Sequence, residues 1–202
     1  MTRKPTLSTT RAAEIWRDTL WCRRELYSDQ SFFKMTEVWE TLCTDIKPWR
    51  LKTYRSNQLE DFKRKAGLTV LGDYVTLTVD ERLWKNAERG SKLCNFILSH
   101  EFGHLALDHH SSCAGTLNFQ LFSGPTGMSN SPPTIEELEA NFAAVFFQCG
   151  VALMDSRMDP IELAHRAFSD VTYVKKAQRI VQLDVFKEAV LRLKSARRRV
   201  VL

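Results

Sequence analysis

Residues 93–107 form an apolar run that carries the pattern H-E-x-x-H, and this pattern constrains the local fold more than any other feature of the chain. On an α-helix His100 and His104 lie one turn apart on the same face, with Glu101 beside them. Two imidazoles at that spacing can reach one metal ion only if the segment is helical. The sequence therefore predicts a helix with two metal-ligating histidines. Among shuffled chains with the same 5 histidines and 24 acidic residues, about one or two in a hundred would contain the pattern by chance.

Zinc chemistry explains why these residue types occur at this spacing. A catalytic zinc ion takes three protein ligands and keeps a fourth position for water, whose pKa it lowers to about 7. A carboxylate within hydrogen-bond reach can then remove the proton of that water. Glu101 is placed for this role of general base, so the pattern is typical of zinc peptidases.

The spacing leaves the third ligand open. His110 follows His104 by six residues, as in the longer H-E-x-x-H-x-x-G-x-x-H pattern, but Leu107 stands where that pattern needs a glycine to turn the chain. Asp108 and His109 follow the helix too closely to fold back easily onto the same ion. These three residues are therefore the weaker alternatives.

A second acidic segment begins at Thr134, where Pro-Pro-Thr precedes acidic residues and an apolar run. Thr134 with Glu137 three residues on is typical of a capping box at the start of a helix. Glu137 and Asn141 share one helix face, so Glu137 can bind the metal while Asn141 accepts or orients a hydrogen bond from a ligand histidine. Closing the capping box is the alternative role of Glu137, and Glu136 and Glu139 are the alternative ligands.

Taken together, these segments resemble the ImmA/IrrE family of metallopeptidases. The resemblance is carried by residues 79–83, 89–90, 96–107 and 137–144, and it covers roughly residues 65–182. It implies one zinc ion per chain and a zinc-dependent endopeptidase that cuts a regulatory protein, such as a transcriptional repressor of the helix-turn-helix class. The metal ligands that it implies are His100, His104 and Glu137, with Glu101 as the base.

The competing interpretation is a non-catalytic regulatory module that keeps the metal for structure and binds protein or DNA through its C-terminal helices. A structural zinc site is normally closed by four protein ligands and has no use for Glu101, so we favour the enzyme. The residue that would stabilise the oxyanion stays open among four candidates, which are His109, His110, His165 and Tyr173.

Ahead of the motif, residues 67–79 have the pattern of a β-hairpin turned at Gly72-Asp73, with Val75, Leu77 and Val79 alternating on one face. We therefore expect an α+β fold, in which a small, mostly antiparallel sheet packs on the metal-binding helix and the second ligand-bearing helix. The edge of this hairpin is the expected binding site of an extended substrate peptide. A strand wholly paired inside the sheet is the alternative.

Helices are predicted on both sides of this core. Residues 8–10 can cap a helix that runs to about Tyr27, and residues 32–45 have the pattern of another helix before Pro48. The tryptophans of this region are expected to build core. The predicted domains are an N-terminal helical extension over 1–64, a zinc metallopeptidase core over 65–155 and a C-terminal helical region over 156–202.

The C-terminal region is expected to contain two amphipathic helices, the first starting at Asp159-Pro160. The resemblance implies a helix-turn-helix-like pair here, and we favour a pair that covers the core over one that binds DNA. The basic residues within 187–199 are interpreted as a solvated helix end in preference to a nucleic-acid contact. Residues 111–133 have no helical or strand period and are expected to form either a loop at the mouth of the site or a surface insertion.

Composition limits the class of protein. The chain has 202 residues, of which 44% are hydrophobic, so it can bury a sizeable core. Neither a signal-peptide pattern nor an apolar run of about 18–20 residues is apparent, so we expect no membrane partner. The 5 cysteines are odd in number and contain no C-x-x-C pair, which argues against a disulfide framework or a cysteine zinc site. We therefore expect a cytoplasmic protein.

Overall fold

The computed structural model describes residues 6–29, 31–55, 66–109 and 134–199, except for the side chains of 194–199. Over these residues the chain forms eight α-helices, three strands and a short 3₁₀ helix, Gly150–Met154. In chain order the others are α1 (Thr9–Leu26), α2 (Met35–Asp45), β1 (Arg50–Tyr54), β2 (Ala66–Leu71), β3 (Tyr74–Asp80), α3 (Glu81–Glu88), α4 (Lys92–Ala106), α5 (Ile135–Cys149), α6 (Pro160–Arg166), α7 (Val171–Ile180) and α8 (Asp184–Arg199).

The three strands form one mixed sheet in the order β1–β3–β2, with β2 antiparallel and β1 parallel to β3. The predicted hairpin turns at Gly72, whose φ of 57° favours glycine. Val75, Leu77 and Val79 are buried, as their alternation predicts. The α+β class is therefore confirmed. The mixed character comes from β1, whose largely exposed and polar residues gave no strand signal.

The two N-terminal helices lie close to where the sequence predicts them. The Ser8 hydroxyl accepts a hydrogen bond from the Arg11 amide, and α1 ends at Leu26. Helix α2 starts three residues later than the predicted 32, because the Met35 amide donates to Oδ1 of Asn95 at 2.7 Å. Asn95 lies on α4, so this start depends on a contact across 60 residues of chain.

Helix α5 separates two hydrophobic clusters. Phe146 belongs to the cluster built from α1 and the helices α5 to α8, while Phe147 belongs to the cluster of α2, the sheet, α3 and α4. Trp16 packs edge-on against Phe146 at 5.0 Å between ring centroids, and Trp39 is fully buried in the second cluster. Trp16 and Trp39 thus build core, as expected, whereas Trp21 on α1 is 57% exposed and does not. Helix α1 shares its core with α5.

Residues Ile135–Met154 are, within the described part of the chain, the one helical stretch long and apolar enough to cross a membrane. Its mean hydropathy is 1.2, and 61% of it is buried inside the protein. Extensive burial of an apolar helix is what a core position requires. This stretch is therefore the central core helix of the fold.

The C-terminal helices cover that core. The side chain of Asp159 accepts hydrogen bonds from the amides of Ile161 and Glu162, which caps α6 in the predicted manner with Pro160 in its first turn. Leu163 and Ala164 of α6 and Val174 and Ala177 of α7 are fully buried in the first cluster.

Candidate metal centre

Helix α4 crosses α5 at very short range. A Cβ atom added at Gly103 would lie 2.8 Å from the carbonyl oxygen of Ala140 and 3.2 Å from Cβ of Ala143. Glycine permits such an approach because it has no side chain to separate the two backbones. Gly103 lies inside the H-E-x-x-H segment, so the close crossing sets the histidine-bearing face of α4 directly against one face of α5.

Three side chains meet at this crossing. Nε2 of His100 lies 3.1 Å from Nε2 of His104 and 3.3 Å from Oε2 of Glu137, and Nε2 of His104 lies 3.6 Å from Oε1 of Glu137. Ligands about 2.0–2.1 Å from a tetrahedral zinc ion are separated by about 3.3–3.4 Å. The three separations bracket that value, and the set of two imidazoles and one carboxylate suits zinc. The group could therefore hold a metal ion.

The second ring nitrogen of each histidine is hydrogen-bonded. Nδ1 of His100 lies 3.0 Å from Oδ1 of Asn141, and Nδ1 of His104 lies 2.9 Å from Nδ1 of His109. An amide oxygen can only accept, so His100 donates from Nδ1 and turns the lone pair of Nε2 toward Glu137. Metal-ligating histidines usually donate their other ring N–H in this way. Asn141 thus occupies the place predicted for it, beside His100.

Glu101 lies in a dry environment next to the two histidines. It is 2% exposed, and its Oε1 has no hydrogen-bond partner within the described residues. Burial raises the pKa of its carboxyl to about 8; His104 and the Leu68 backbone lower the value, whereas Glu137 raises it. A buried carboxyl oxygen without a partner is costly and marks a position where a ligand or reactant would supply the missing contact.

The carboxylate of Glu137 faces His100 and His104 and does not close the capping box. Thr134 caps α5 by accepting a hydrogen bond from the Glu137 amide at 3.2 Å, while the Glu137 carboxylate faces the histidines. Burial by itself would raise the pKa of Glu137, but its close contacts with His100 and His104 lower it to about 2. The side chain is therefore an anion, as a metal ligand must be.

Glu139, one of the alternative ligands, points elsewhere. Its Oε1 accepts from Nε of Arg11 at 2.9 Å, and its Oε2 accepts from Nη2 of Arg11 at 2.8 Å and lies 3.1 Å from Nε2 of His109. The hydrogen bond from Arg11 lowers the pKa of Glu139, while burial lowers the pKa of His109. The structure thus places Glu137 with the histidines and leaves Glu139, like the half-buried Glu136, out of that group.

Within the described part of the chain, the other predicted residues are not members of the group formed by His100, His104 and Glu137. His110 and the segment 111–133, with Cys113, lie outside the described residues. His165 is exposed on α6, and Asp108 has a left-handed backbone with φ of 53°. Tyr173 stacks on Phe96 with ring centroids 5.4 Å apart, and burial raises its pKa, as do Asp170 and Glu137.

Sequence reasoning missed the part played by Arg11. This residue lies 128 positions before Glu139, in a helix that was expected to be an appendage. His109 was considered as a ligand and as an oxyanion donor, whereas in the structure it hydrogen-bonds to His104. An ion pair between residues 128 positions apart can be recognised only after the helices are packed, so no local pattern predicts this pairing.

The chain matches no protein-family model, no curated protein and no solved structure. The resemblance to the ImmA/IrrE family stays an expectation carried by its motifs, and the function proposed below depends on the geometry of the centre.

Proposed function

We propose that this protein is a zinc-dependent endopeptidase. The observation that carries the proposal is the convergence of His100, His104 and Glu137 on one point, with the buried carboxyl of Glu101 beside them and one of its oxygens without a partner within the described residues. A metal ion held only for structure is normally coordinated by four protein ligands. Such a site has no use for an uncoordinated carboxyl like that of Glu101. The arrangement therefore supports hydrolysis over a purely structural metal.

Each residue has a distinct role in this reaction. His100, His104 and Glu137 would hold zinc, which supplies Lewis acidity at a scissile carbonyl and lowers the pKa of water. Glu101 takes up the proton of the attacking water and returns it to the leaving amine. Because Glu101 is shielded from solvent, its proton is exchanged with the reactants in preference to bulk water.

The edge of the sheet offers a way to hold the substrate. Within the described residues β2 pairs only with β3, so its other edge carries backbone groups that an extended peptide can pair with. The backbone of Leu68, on this strand, lies close enough to Glu101 to lower its pKa. A peptide added along β2 would therefore pass beside the proposed base. By resemblance, the substrate is a cytoplasmic regulatory protein such as a helix-turn-helix repressor.

The first experiment measures metal content by mass spectrometry on purified wild type, His104→Ala and Glu137→Ala proteins, with His165→Ala as the control for an exposed histidine. We expect about one zinc ion per chain in the wild type and the control, and loss of zinc in the other two variants. A folded wild type that contains no metal and cannot be loaded would leave the non-catalytic binding module as the better interpretation.

The second experiment separates metal binding from catalysis. Glu101→Gln keeps the shape of the side chain and removes its capacity as a base, so zinc content should be unchanged. Cleavage of a helix-turn-helix repressor panel, or of an unfolded protein such as casein, should fall by about 10²–10⁴-fold. Glu136→Gln, on the half-buried neighbour of Glu137, is the matched control and should cleave normally. Full activity in Glu101→Gln would exclude the proposed mechanism.

A further inference from the structure

Four side chains connect helix α1 to the metal-binding group in an unbroken series of hydrogen bonds. Arg11 binds Glu139 through two parallel contacts of 2.9 and 2.8 Å, His109 bonds to Glu139 at 3.1 Å, and His104 bonds to His109 at 2.9 Å. Glu139 and both histidines are buried, with 8%, 7% and 5% exposure for Glu139, His109 and His104. Apart from the partly exposed Arg11, the series therefore lies within the protein, and it ends on Nδ1 of His104, the ring nitrogen that does not face the metal-binding group.

The direction of each hydrogen bond follows from the chemistry of the two ends. Arg11 can only donate, and the Glu139 carboxylate can only accept, so Nε2 of His109 donates to Glu139. A neutral imidazole that donates from one nitrogen accepts at the other, so Nδ1 of His109 accepts from Nδ1 of His104. His104 then carries its proton on Nδ1 and has a lone pair on Nε2, the atom that faces His100 and Glu137.

We propose that Arg11, Glu139 and His109 are positioning residues that fix the tautomer of His104 for metal binding. The proposal rests on the metal-binding part of the proposed function and is independent of proteolysis. The Arg11 guanidinium holds Glu139 as a two-point acceptor, Glu139 fixes the orientation of the His109 ring, and His109 selects the tautomer of His104. Helix α1 is then part of the metal centre through Arg11, although it contributes no ligand.

The first readout is the zinc dissociation constant, measured by competition with a chelator of known affinity. Loss of a hydrogen-bond partner of a ligand histidine typically weakens metal binding by 10–100-fold, and we expect this for His109→Phe. Arg11→Met acts from the far end of the series and should weaken zinc binding by about 3–10-fold, a fraction of that range. Arg17→Met is the matched control, because Arg17 lies on the same helix and pairs only with the neighbouring Asp18 in the contacts seen here.

The second readout is the tautomer of the neutral His104 ring, observed through the ring ¹⁵N chemical shifts of the metal-free protein at a pH where that ring carries one proton. We expect the Nδ1-protonated form to dominate in wild type and in Arg17→Met. In His109→Phe, which offers no acceptor, that preference should be lost, and in Arg11→Met it should be weakened. A residue that only supports folding would not change the tautomer of a folded protein. The Arg11 side chain is 38% exposed, so Arg11→Met is expected to fold. This variant therefore provides the test even if His109→Phe does not fold.

The outcomes separate this proposal from the proposed function. Wild-type protein that binds zinc, with both variants equal to it in affinity and in tautomer, overturns the positioning role and leaves the peptidase proposal intact. Wild-type protein that binds no zinc overturns both the zinc proposal and the positioning role for metal binding, even where the predicted tautomer of His104 is seen and is lost in His109→Phe. A neutral His104 ring protonated on Nε2 in the wild type overturns the positioning role directly.

Discussion

Replacing Gly103 with alanine tests the close crossing of α4 and α5 on which the metal centre depends. In an ordinary helix interior this change is favourable by about 0.8–1.0 kcal/mol, because alanine has the higher helix propensity. Here the new Cβ would lie 2.8 Å from the carbonyl oxygen of Ala140, where ordinary contacts begin at 3.4 Å. The obstructing atom is backbone and cannot move aside as a flexible side chain can, so the two helices must separate by about 0.6 Å.

The magnitude follows from two opposing terms. Overpacking a closely packed contact costs about 1–3 kcal/mol, and backbone obstruction favours the upper part of that range. After the gain in propensity, we expect a net loss of about 1–2 kcal/mol in the free energy of unfolding. For a chain of this size that loss lowers Tm by about 2–8 °C. Metal ligands must also be placed within about 0.2 Å, so separation of the helices should weaken zinc binding by about tenfold or more.

The assay is urea unfolding of the metal-free protein, followed by a zinc competition measurement on the same preparations. Leu93→Ala is the control, because Leu93 lies on α4 with nearly half of its surface exposed and should change neither quantity much. The sign of the stability change decides the question. A Gly103→Ala protein that is more stable than wild type, with unchanged zinc affinity, would show that the helices do not cross as closely as described.

Three further predictions concern other parts of the fold. Arg23→Met removes the buried guanidinium that donates to the carbonyls of Phe147 and Gln148 at the end of α5. It should lower the free energy of unfolding in urea by about 2–6 kcal/mol, since each of the two orphaned carbonyls costs about 1–3 kcal/mol. Asp159→Ala removes the cap of α6 and should cost about 0.5–2 kcal/mol by the same measurement, whereas a change near zero would contradict the capping role. The thiol of Cys149 is buried with its pKa raised to about 12, so iodoacetamide at pH 8 should modify it only after unfolding, as peptide mass mapping can show; modification at the rate of an exposed thiol would contradict this.

The parts of the fold that local chemistry determines were predicted from the sequence. Ser8 and Asp159 cap helices through their own neighbours, and the turn at Gly72 needs only a residue that accepts a positive φ. The start of α2 could not be predicted, because its first amide is satisfied by Asn95 from a distant helix. Strand β1 was missed for the related reason that its place depends on pairing with β3, since its own residues have no strand-like alternation.

In the metal centre, too, the choice of third ligand depends on contacts between distant segments and could not be predicted from neighbouring residues. Successive residues on a helix are about 100° apart, so Glu137 and Glu139 necessarily face different neighbours, but their spacing does not say which neighbour is α4. That is decided by Gly103, which allows α4 to lie on the backbone of α5 at Ala140 and so turns the face of Glu137 toward the histidines. Once this face is fixed, Glu139 must face α1 and the end of α4, where Arg11 and His109 meet it. The same crossing therefore determines both the metal-facing carboxylate and the carboxylate that orients His109, which is why neither assignment could be made from the acidic cluster alone.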